Sequence, residues 1–202
     1  MNPMRRKPQQ ARGQRRVNTI LDAASQVFSE LGYEAATTNL IAIRANTSIG
    51  SLYQFFPNKE AILSAIATRY SVQLGGLLDK VFDSYSAPLS VQINDLIDSL
   101  VDYYLATPAF QPLFHAVPAS SVMRYVADSL CSPIEHRLDR ALRVNNAALE
   151  PAVSQFYAAI CVYILRALIP MIRQPEDEER IVEAVKHALV AYLNSTGDFD
   201  LR

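Results

Sequence analysis

The sequence predicts an all-α protein with an N-terminal helix-turn-helix domain of three helices, followed by a larger helical domain. Apolar residues recur at spacings of three and four along most of the chain, as they do on one face of an α-helix. Only 6 of the 202 residues are glycine, which argues against a turn-rich all-β fold. Half of the residues are hydrophobic, so the chain can bury a large core. Its length suits one small domain and one domain of ordinary size.

The first predicted segment, residues 1–15, is a flexible basic arm. It contains Arg and Lys but no apolar run, so it does not resemble a secretory signal. Such an arm is either a solvated tail or a contact to DNA, and the sequence leaves both interpretations open. Residues 1–60 contain eight Lys or Arg and four acids, whereas residues 61–202 contain eleven and sixteen. Only the first part of the chain should therefore attract a polyanion.

Residues 16–60 are predicted to form the helix-turn-helix domain. Apolar residues at helical spacing predict a first helix from Val17 to Leu31, and Gly32 is expected to end it in an αL cap. Thr37 or Thr38 can cap a second helix, because a side-chain oxygen there accepts from backbone N–H groups that lack an intrahelical partner.

A third helix is predicted to begin after Thr47 or Ser48 and to run to about Phe56, ahead of a proline. Leu52 and Phe56, four residues apart, would bury it against the second helix. Its other face is small at the start and then aromatic and polar, which suits entry into a major groove. That face contains Ser48, Ile49, Gly50, Ser51, Tyr53 and Gln54. Helix-turn-helix pairs also serve as plain scaffolding, so the spacing alone leaves nucleic-acid binding open.

The stretch from Arg16 to Lys59, about a quarter of the chain, resembles the DNA-binding domain of the TetR (tetracycline repressor) family. The motifs that carry the resemblance are Phe28-Ser-Glu-Leu-Gly-Tyr, Thr37-Thr, Ile41-Ala, Gly50-Ser-Leu-Tyr and Phe56-Pro-Asn-Lys-Glu-Ala. The resemblance implies a cytoplasmic, homodimeric transcriptional regulator. It would be a repressor that binds a palindromic double-stranded DNA operator and is released by a small-molecule effector.

The resemblance also implies DNA contacts at particular residues. Base edges would be read at Ile49, Gly50 and Ser51, and phosphates would be held by Thr37, Thr38, Tyr53 and Lys59. The other members of the expected set are Thr47, Ser48, Gln54 and Phe55.

Four residues in this domain depart from the family pattern. Ile49 stands where many relatives have Lys, and Phe55 where they often have His or Tyr, so readout is expected to lean on apolar contact with a thymine methyl group. Leu40 and Ile43 occupy positions that are usually polar. They are expected to pack on the basic arm or on the long helix that follows.

Residues 61–202 are expected to form a helical domain for ligand binding and dimerisation. A long helix should begin near Lys59 and run to about Ser84, with a bend at Gly75-Gly76. The later elements are predicted at Leu89–Ala106, around Phe110–Ala116, at Ser120–Val144 with a break near Cys131-Ser132, at Ala152–Ile172 and at Glu176–Asn194.

The helix from Ala152 to Ile172 has almost no polar face and should therefore be buried. A membrane span is disfavoured, because Gln155 and Arg166 interrupt the apolar run and no basic flank orients it. This helix and the last one have more apolar surface than a small body covers. We expect them to form a homodimer interface, as the last two helices do in the family that the chain resembles.

The resemblance further implies an effector pocket between the long helix and the helices that follow it. Its candidate residues are Phe82, Tyr103, Tyr104, Phe110, Phe114, His115, Arg124, Tyr125, Phe156 and Arg166. A buried arginine needs an anionic partner, so Arg124 and Arg166 would pair with Asp98 or Asp102, or hold a ligand carboxylate.

Other function classes find little support in the sequence. The three histidines sit in no nucleophile elbow, no HExxH and no glycine-rich phosphate loop, so we expect no enzyme and no cofactor. Asp95, Asp98 and Asp102 have no His or Cys nearby, so a solvated face is favoured over a metal site. Cys131 and Cys161 are interpreted as reduced core thiols. The alternative functions are a helical dimerisation module without DNA and a constitutive DNA binder without a ligand.

Overall fold

The computed structural model describes residues 11–82, 87–114 and 120–201, and within these ranges it contains nine α-helices and no strand. The helices are α1 (Ala11–Ala35), α2 (Thr38–Arg44), α3 (Ile49–Phe55), α4 (Lys59–Phe82), α5 (Leu89–Ala106), α6 (Gln111–Phe114), α7 (Ser121–Asn145), α8 (Pro151–Leu168) and α9 (Pro175–Ser195). A 3₁₀ turn, Ile169–Met171, follows α8. The predicted all-α fold is confirmed.

The chain divides into two compact units. The first comprises the described residues of 1–70 and 108–127, and the second comprises those of 71–107 and 128–202. Two of the three boundaries fall inside helices, after Tyr70 in α4 and after Ala127 in α7, and the third lies between α5 and α6. The expected domain boundary after residue 60 remains a prediction.

The first unit is built on the apolar face of α1, where Val17, Ile20 and Ala24 are buried at helical spacing. α2 packs on this face. An ion pair between Arg69 and Asp22 joins α4 to α1.

An aromatic cluster lies in the same unit. The ring centroids of Tyr70 and Phe110 are 5.7 Å apart in an edge-on arrangement. Phe110 stacks on Phe114 at 5.2 Å. Phe110, just before α6, and Phe114, its last residue, are both fully buried, so aromatic side chains at its two ends fix this short helix.

The second unit packs α9 on α5 and α8. Lys186 on α9 lies 2.8 Å from Asp98 on α5, and this ion pair ties the two helices. Arg137 on α7 joins that helix to α4, because its guanidinium donates to the Gly75 carbonyl at 2.8 Å and pairs with Asp79.

The start of the chain differs from the prediction. α1 begins at Ala11, six residues earlier than expected, so Arg12 and Arg15 lie on a helix and not on a flexible arm. Local bonds stabilise this extra turn, since Gln14 donates to Asn18 at 3.2 Å and the Thr19 hydroxyl donates to the Arg15 carbonyl at 3.0 Å. Residues 1–10 of the predicted arm lie outside the described residues.

Two further local predictions are corrected. Gly32 has a positive φ of 76°, as predicted, but its ψ of 164° is extended and not αL. α7 continues through Pro133 without the expected break. A proline inside a helix removes one N–H donor and crowds the carbonyl four residues earlier, and the full burial of Leu130 and Ile134 on either side holds the helix in place despite that cost.

α8 is not buried all round as predicted. Ser154, Ala158 and Cys161 face the interior, but Phe156 is 59% exposed and Tyr163 is 65% exposed. By length and composition, the stretch Pro151–Met171 could cross a membrane, and 33% of its most apolar 18-residue window is buried. The helix therefore has one packed face and one apolar face that the described residues do not cover.

Candidate nucleic-acid interface

The two short helices α2 and α3 are held by the caps that their sequences predict. The hydroxyl of Thr37 accepts from the Leu40 N–H at 3.2 Å, and the hydroxyl of Ser48 accepts from the Ser51 N–H at 3.1 Å. Asn46, in the turn between them, has a positive φ of 47°, a conformation that asparagine tolerates. The caps fix where each helix begins and so determine which residues of α3 face outward.

The outward face of α3 is small at its start and polar beyond it. Ile49 and Gly50 are exposed, Ser51 is half-buried, and Tyr53 and Gln54 are exposed, whereas Leu52 packs inside. A methyl group built on Gly50 would meet no described atom within 4 Å. Packing within the described chain therefore does not require glycine at this helical position, although glycine costs about 1 kcal/mol relative to alanine there.

Tyr53 and Thr38 form a pair of hydroxyl groups beside this face. Their oxygens lie 3.1 Å apart, and either one can be the donor. Both side chains were predicted to hold phosphate. Because α2 carries one and α3 the other, the pair joins the two helices and places two hydroxyl groups at one surface point.

Arg16 is a candidate site residue that the predicted DNA-binding set does not contain. Its guanidinium donates to the Ser51 hydroxyl at 3.3 Å, which brings a positive charge from α1 to the start of α3. Arg12 and Arg15 are also exposed on the first turns of α1. The early start of α1 produces this arrangement, and the run of basic residues before Val17 was the available signal.

Arg44 has a structural partner and does not add to this basic surface. Its guanidinium donates to both carboxylate oxygens of Glu30, at 2.8 and 2.7 Å. The hydrogen bond from Arg44 lowers the pKa of Glu30 and raises that of Arg44. This two-point contact fastens the end of α2 to α1.

Two of the expected DNA-binding residues have other roles. Phe55 is only 8% exposed and belongs to the core of the first unit, so its ring does not lie on the outward face. Lys59 donates to the carbonyls of Tyr33, Glu34 and Ala36 at 2.9, 3.1 and 3.3 Å. All three of its N–H donors are therefore used at the end of α1.

Two further members of the predicted DNA-binding set lie at the start of α2 and in the turn before α3. Thr37 is the N-cap of α2, and Thr47 is half-buried in the turn, where its N–H donates to the Ala42 carbonyl at 3.0 Å. Leu40 and Ile43 stay exposed, Ile43 at 75%, so within the described residues they do not gain the cover that was expected.

The predicted ligand residues divide between the two units. Phe110, Phe114, Arg124 and Tyr125 belong to the first, and Arg124 and Tyr125 are exposed. His115 lies outside the described residues. The second unit contains the rest, namely Phe82 and Tyr104 in the core, Tyr103 with its hydroxyl 3.1 Å from Gln73, exposed Phe156, and Arg166.

Asp98, one of the predicted partners of Arg166, pairs with Lys186. The Arg166 guanidinium acts on Cys131 and Glu135, where it opposes the rise in the pKa of both groups. Burial nevertheless raises the pKa of the Cys131 thiol to about 11 and that of Cys161 to about 12. Both cysteines are free and buried, as the sequence predicted, and neither is a reactive thiolate.

The second unit contains several pockets. An open pocket of about 550 Å³ lies between α4 and α7, one of about 330 Å³ lies between α5 and α9, and one of about 250 Å³ lies between α7 and α8. The nine described residues of the predicted ligand set line none of these three. Among the described residues, no group of three or more His, Cys, Asp or Glu could hold a metal ion.

Comparison with known families identifies two matching regions. Residues 20–66 match the model of "Bacterial regulatory proteins, tetR family". Residues 88–193, more than half of the chain, match that of "Tetracyclin repressor-like, C-terminal domain".

Among curated proteins, the chain is similar to an uncharacterized HTH-type transcriptional regulator, YvkB, of Bacillus subtilis, with 38% identity over 61 residues. It is also similar to the A-factor receptor protein of Streptomyces griseus, with 46% identity over 57 residues. The matches cover 30% and 28% of this chain, and 32% and 21% of those proteins. The chain thus spans less than a third of the length of these relatives.

Solved structures with the same fold cover most of the chain. The fatty acid degradation regulator FadR from Bacillus halodurans superposes with a TM-score of 0.70 at 19% identity, over 91% of this chain and 96% of that one. A SmeT-triclosan complex gives 0.68 at 20% identity, over 89% and 91%. At these identities the likeness establishes the fold alone.

Proposed function

This chain belongs to the tetR family of bacterial regulatory proteins, a non-enzymatic family of DNA-binding transcriptional regulators, and from that premise we propose that it is a homodimeric, effector-controlled repressor. The outward face of α3, flanked by Arg16 and by the hydroxyl pair of Thr38 and Tyr53, is the observation that carries the proposal. On this face, small residues at the start of α3 allow DNA to approach closely, and the neighbouring guanidinium and hydroxyl groups can bind phosphate.

Base edges are read from the start of α3 in this proposal. Gly50 and Ser51 let the backbone approach the groove floor, and Ile49 contacts a thymine methyl group. Packing within the described chain does not require glycine at position 50, and in this proposal the close approach of the DNA does. Gln54, one turn further along, is the side chain on this face that suits bidentate contact with adenine.

Phosphates are held on both sides of this face. Tyr53 donates its hydroxyl to a phosphate oxygen while it accepts from Thr38, and Arg16 supplies positive charge beside Ser51. Lys59 takes no part, because its ammonium group is bonded to α1 carbonyls. The DNA-binding set carried forward is Arg16, Thr38, Ile49, Gly50, Ser51, Tyr53 and Gln54.

The uncovered face of α8 supports a homodimer through α8 and α9. Phe156 and Tyr163 lie exposed on a helix whose composition is otherwise that of a core. Such apolar surface is stabilised when a second copy covers it. Two copies related by a two-fold axis present two α3 helices, so the operator is a near-palindrome with half-sites about 34–36 Å apart.

The effector half of the proposal concerns the second unit. Its pockets offer room for a small molecule, and the SmeT structure with triclosan is an example of a protein of this fold in complex with one. α4 is one continuous helix that contains residues of both units. Effector binding beside the part of α4 in the second unit could therefore shift the part of the same helix in the first unit. An effector that binds the DNA-free conformation more tightly than the DNA-bound one releases the protein from the operator. In this proposal the protein acts in the cytoplasm.

Two variants test the dimer half. Replacing Phe156 and Tyr163 together by Ser should convert a dimer into a monomer in sedimentation and weaken operator binding. Val72→Ser is the matched control, because Val72 is 70% exposed on α4 and lies outside the proposed interface. A wild-type chain that sediments as a monomer at micromolar concentration would refute this half of the proposal.

A further inference from the structure

The open pocket of about 550 Å³ between α4 and α7 has a row of hydrogen-bond donors along its α7 wall. Ser132, His136 and Arg140 stand four residues apart on α7, so their side chains lie along one face of the helix. All three residues are exposed, so a molecule in the pocket can reach them. The volume lies in the range of about 300–1,000 Å³ that is usual for small-molecule sites. The lining residues all belong to the second unit.

The α4 wall of the pocket contains a glycine that packing within the described chain does not require. Gly76 is exposed, and a methyl group built on it would meet no described atom within 4 Å. Glycine inside a helix costs about 1 kcal/mol relative to alanine. Because Gly76 lines the pocket, its missing side chain leaves room for a ligand against the α4 backbone.

Arg137 forms a fixed part of the wall between the two helices. Its guanidinium donates to the carbonyls of Gly75 and Pro133 at 2.8 and 2.9 Å and pairs with Asp79. These contacts leave the side chain only 20% exposed. Asp79 balances the charge of Arg137, and Arg140 adds a further positive charge to the pocket.

The pocket is positively charged in a part of the chain that is acidic overall. Residues 61–202 contain eleven Lys or Arg and sixteen acids. Among the described lining residues, two arginines and one aspartate leave a net charge of +1 when His136 is neutral. This charge favours a ligand with a single negative charge.

The lining also narrows the chemistry of the ligand. A carboxylate is planar and accepts two parallel N–H bonds from a guanidinium such as that of Arg140. Apolar surface lies in the same pocket, because Val72 is 70% exposed and Pro133 is half-buried. A carboxylate attached to a small apolar body therefore matches both kinds of surface.

We propose that the pocket between α4 and α7 binds a small organic monocarboxylate. Its carboxylate accepts from Arg140 and His136, and its apolar body lies against Gly76, Val72 and Pro133. The inference deepens the effector half of the proposed function. It rests on that function only in taking an occupied pocket to lower operator affinity.

Isothermal titration calorimetry on the full chain at constant ionic strength tests the site. Sodium benzoate is the probe, and benzamide is a neutral counterpart of nearly the same shape. Benzoate should bind with a Kd on the order of 1 mM, because so small a ligand makes few contacts. Benzamide should bind at least about fivefold more weakly, because it lacks the charge that pairs with a partly exposed guanidinium.

Two variants locate the binding. Arg140→Gln should weaken benzoate binding by about fivefold or more. Arg140 lines this pocket and not the one of about 250 Å³ between α7 and α8, which Ser132 and His136 also line. Gly76→Ala should weaken benzoate binding by a similar factor, because the new methyl group fills part of the pocket. The same substitution is expected to stabilise the helix, so a loss of affinity in this variant would not come from partial unfolding.

Arg173→Gln is the matched control. Arg173 is also an exposed arginine of the second unit, and it lines none of the three pockets described above. The variant should bind benzoate as tightly as the wild type does. Circular dichroism should show the wild-type helix content in all three variants.

Several results would overturn the inference. They are no heat of binding at about 10 mM benzoate, equal binding of benzamide, an affinity that Arg140→Gln or Gly76→Ala leaves unchanged, and equal weakening by Arg173→Gln.

Measuring operator affinity at saturating benzoate separates this inference from the proposed function. Benzoate binding without operator release would leave the site standing and refute its regulatory role. Operator binding by a chain that does not bind benzoate would refute the site alone, and benzoate binding by a chain that binds no operator would refute the proposed function alone.

Discussion

Replacing Lys59 by methionine should destabilise the protein without removing a DNA contact. The ammonium group of Lys59 donates to three carbonyls at the end of α1, at 2.9, 3.1 and 3.3 Å, and lies 4.5 Å from the ring centroid of Tyr33. Methionine preserves the length of the side chain but has no donor and no charge. The end of α1 then loses the group that satisfies its final carbonyls.

The size of the effect follows from these contacts. Each hydrogen bond contributes about 0.5–1.5 kcal/mol net, and the cation–π contact about 0.5–1 kcal/mol. Lys59 is only half-buried, so water replaces part of what is lost. We therefore expect a loss of about 2 kcal/mol, or a fall in Tm of about 4–8 °C for a chain of this size.

Thermal unfolding and a salt titration of operator binding measure the two parts of this prediction. Lys80→Met is the control, because Lys80 is an exposed lysine on the same helix. The slope of log K against log salt should equal that of the wild type. A slope that is smaller by about 0.9 per protomer, with an unchanged Tm, would show that Lys59 neutralises a phosphate and would refute the reasoning.

Three further predictions concern single side chains. Tyr53→Phe should lower operator affinity in fluorescence anisotropy by about 10-fold or more per protomer, through loss of a hydrogen bond to a charged acceptor. The exposed bond to Thr38 is also lost, so Tm should fall by no more than a few degrees. Gly76→Ala should raise the free energy of unfolding in urea by about 0.5–1 kcal/mol, since the new methyl group meets no described atom within 4 Å. Gly75→Ala should raise it by less, since its methyl group would lie 3.4 Å from the Arg137 guanidinium. An equal gain for both glycines would contradict the assigned contact. Burial raises the pKa of Glu135 above its usual value of 4.5. The protonated carboxyl therefore contributes stability at low pH, and this contribution is lost as the pH rises through the raised pKa. The stability of Glu135→Gln relative to the wild type should therefore increase between about pH 4 and pH 7. A constant difference across that range would contradict the buried carboxyl.

Local sequence rules were sufficient for the helix-turn-helix. Leu52 and Phe56 are buried as predicted, and the N-caps are Thr37 and Ser48, one of the two residues predicted for each helix. These features depend on neighbours three or four residues away, so the spacing determines them. α5 was predicted with its observed bounds, Leu89–Ala106, for the same reason.

Contacts between residues that lie far apart in the sequence could not be predicted from it. Lys59 was assigned to phosphate from the family resemblance, and its bonds to carbonyls 26, 25 and 23 positions earlier have no local signature in the sequence. The contact between Arg16 and Ser51, 35 positions apart, was missed for the same reason. The two faces of α8 also depend on which neighbours the fold provides, and composition alone could not distinguish them.

Selection of bound sequences from random duplexes of about 30 base pairs tests the central claim most directly. The wild-type chain should enrich an inverted repeat whose half-sites lie about one helical turn apart, and Tyr53→Phe should bind the selected duplex more weakly. Footprinting should place the protection over both half-sites. Enrichment of no sequence, or of a single unrepeated site that Tyr53→Phe binds as tightly as the wild type, would contradict the account.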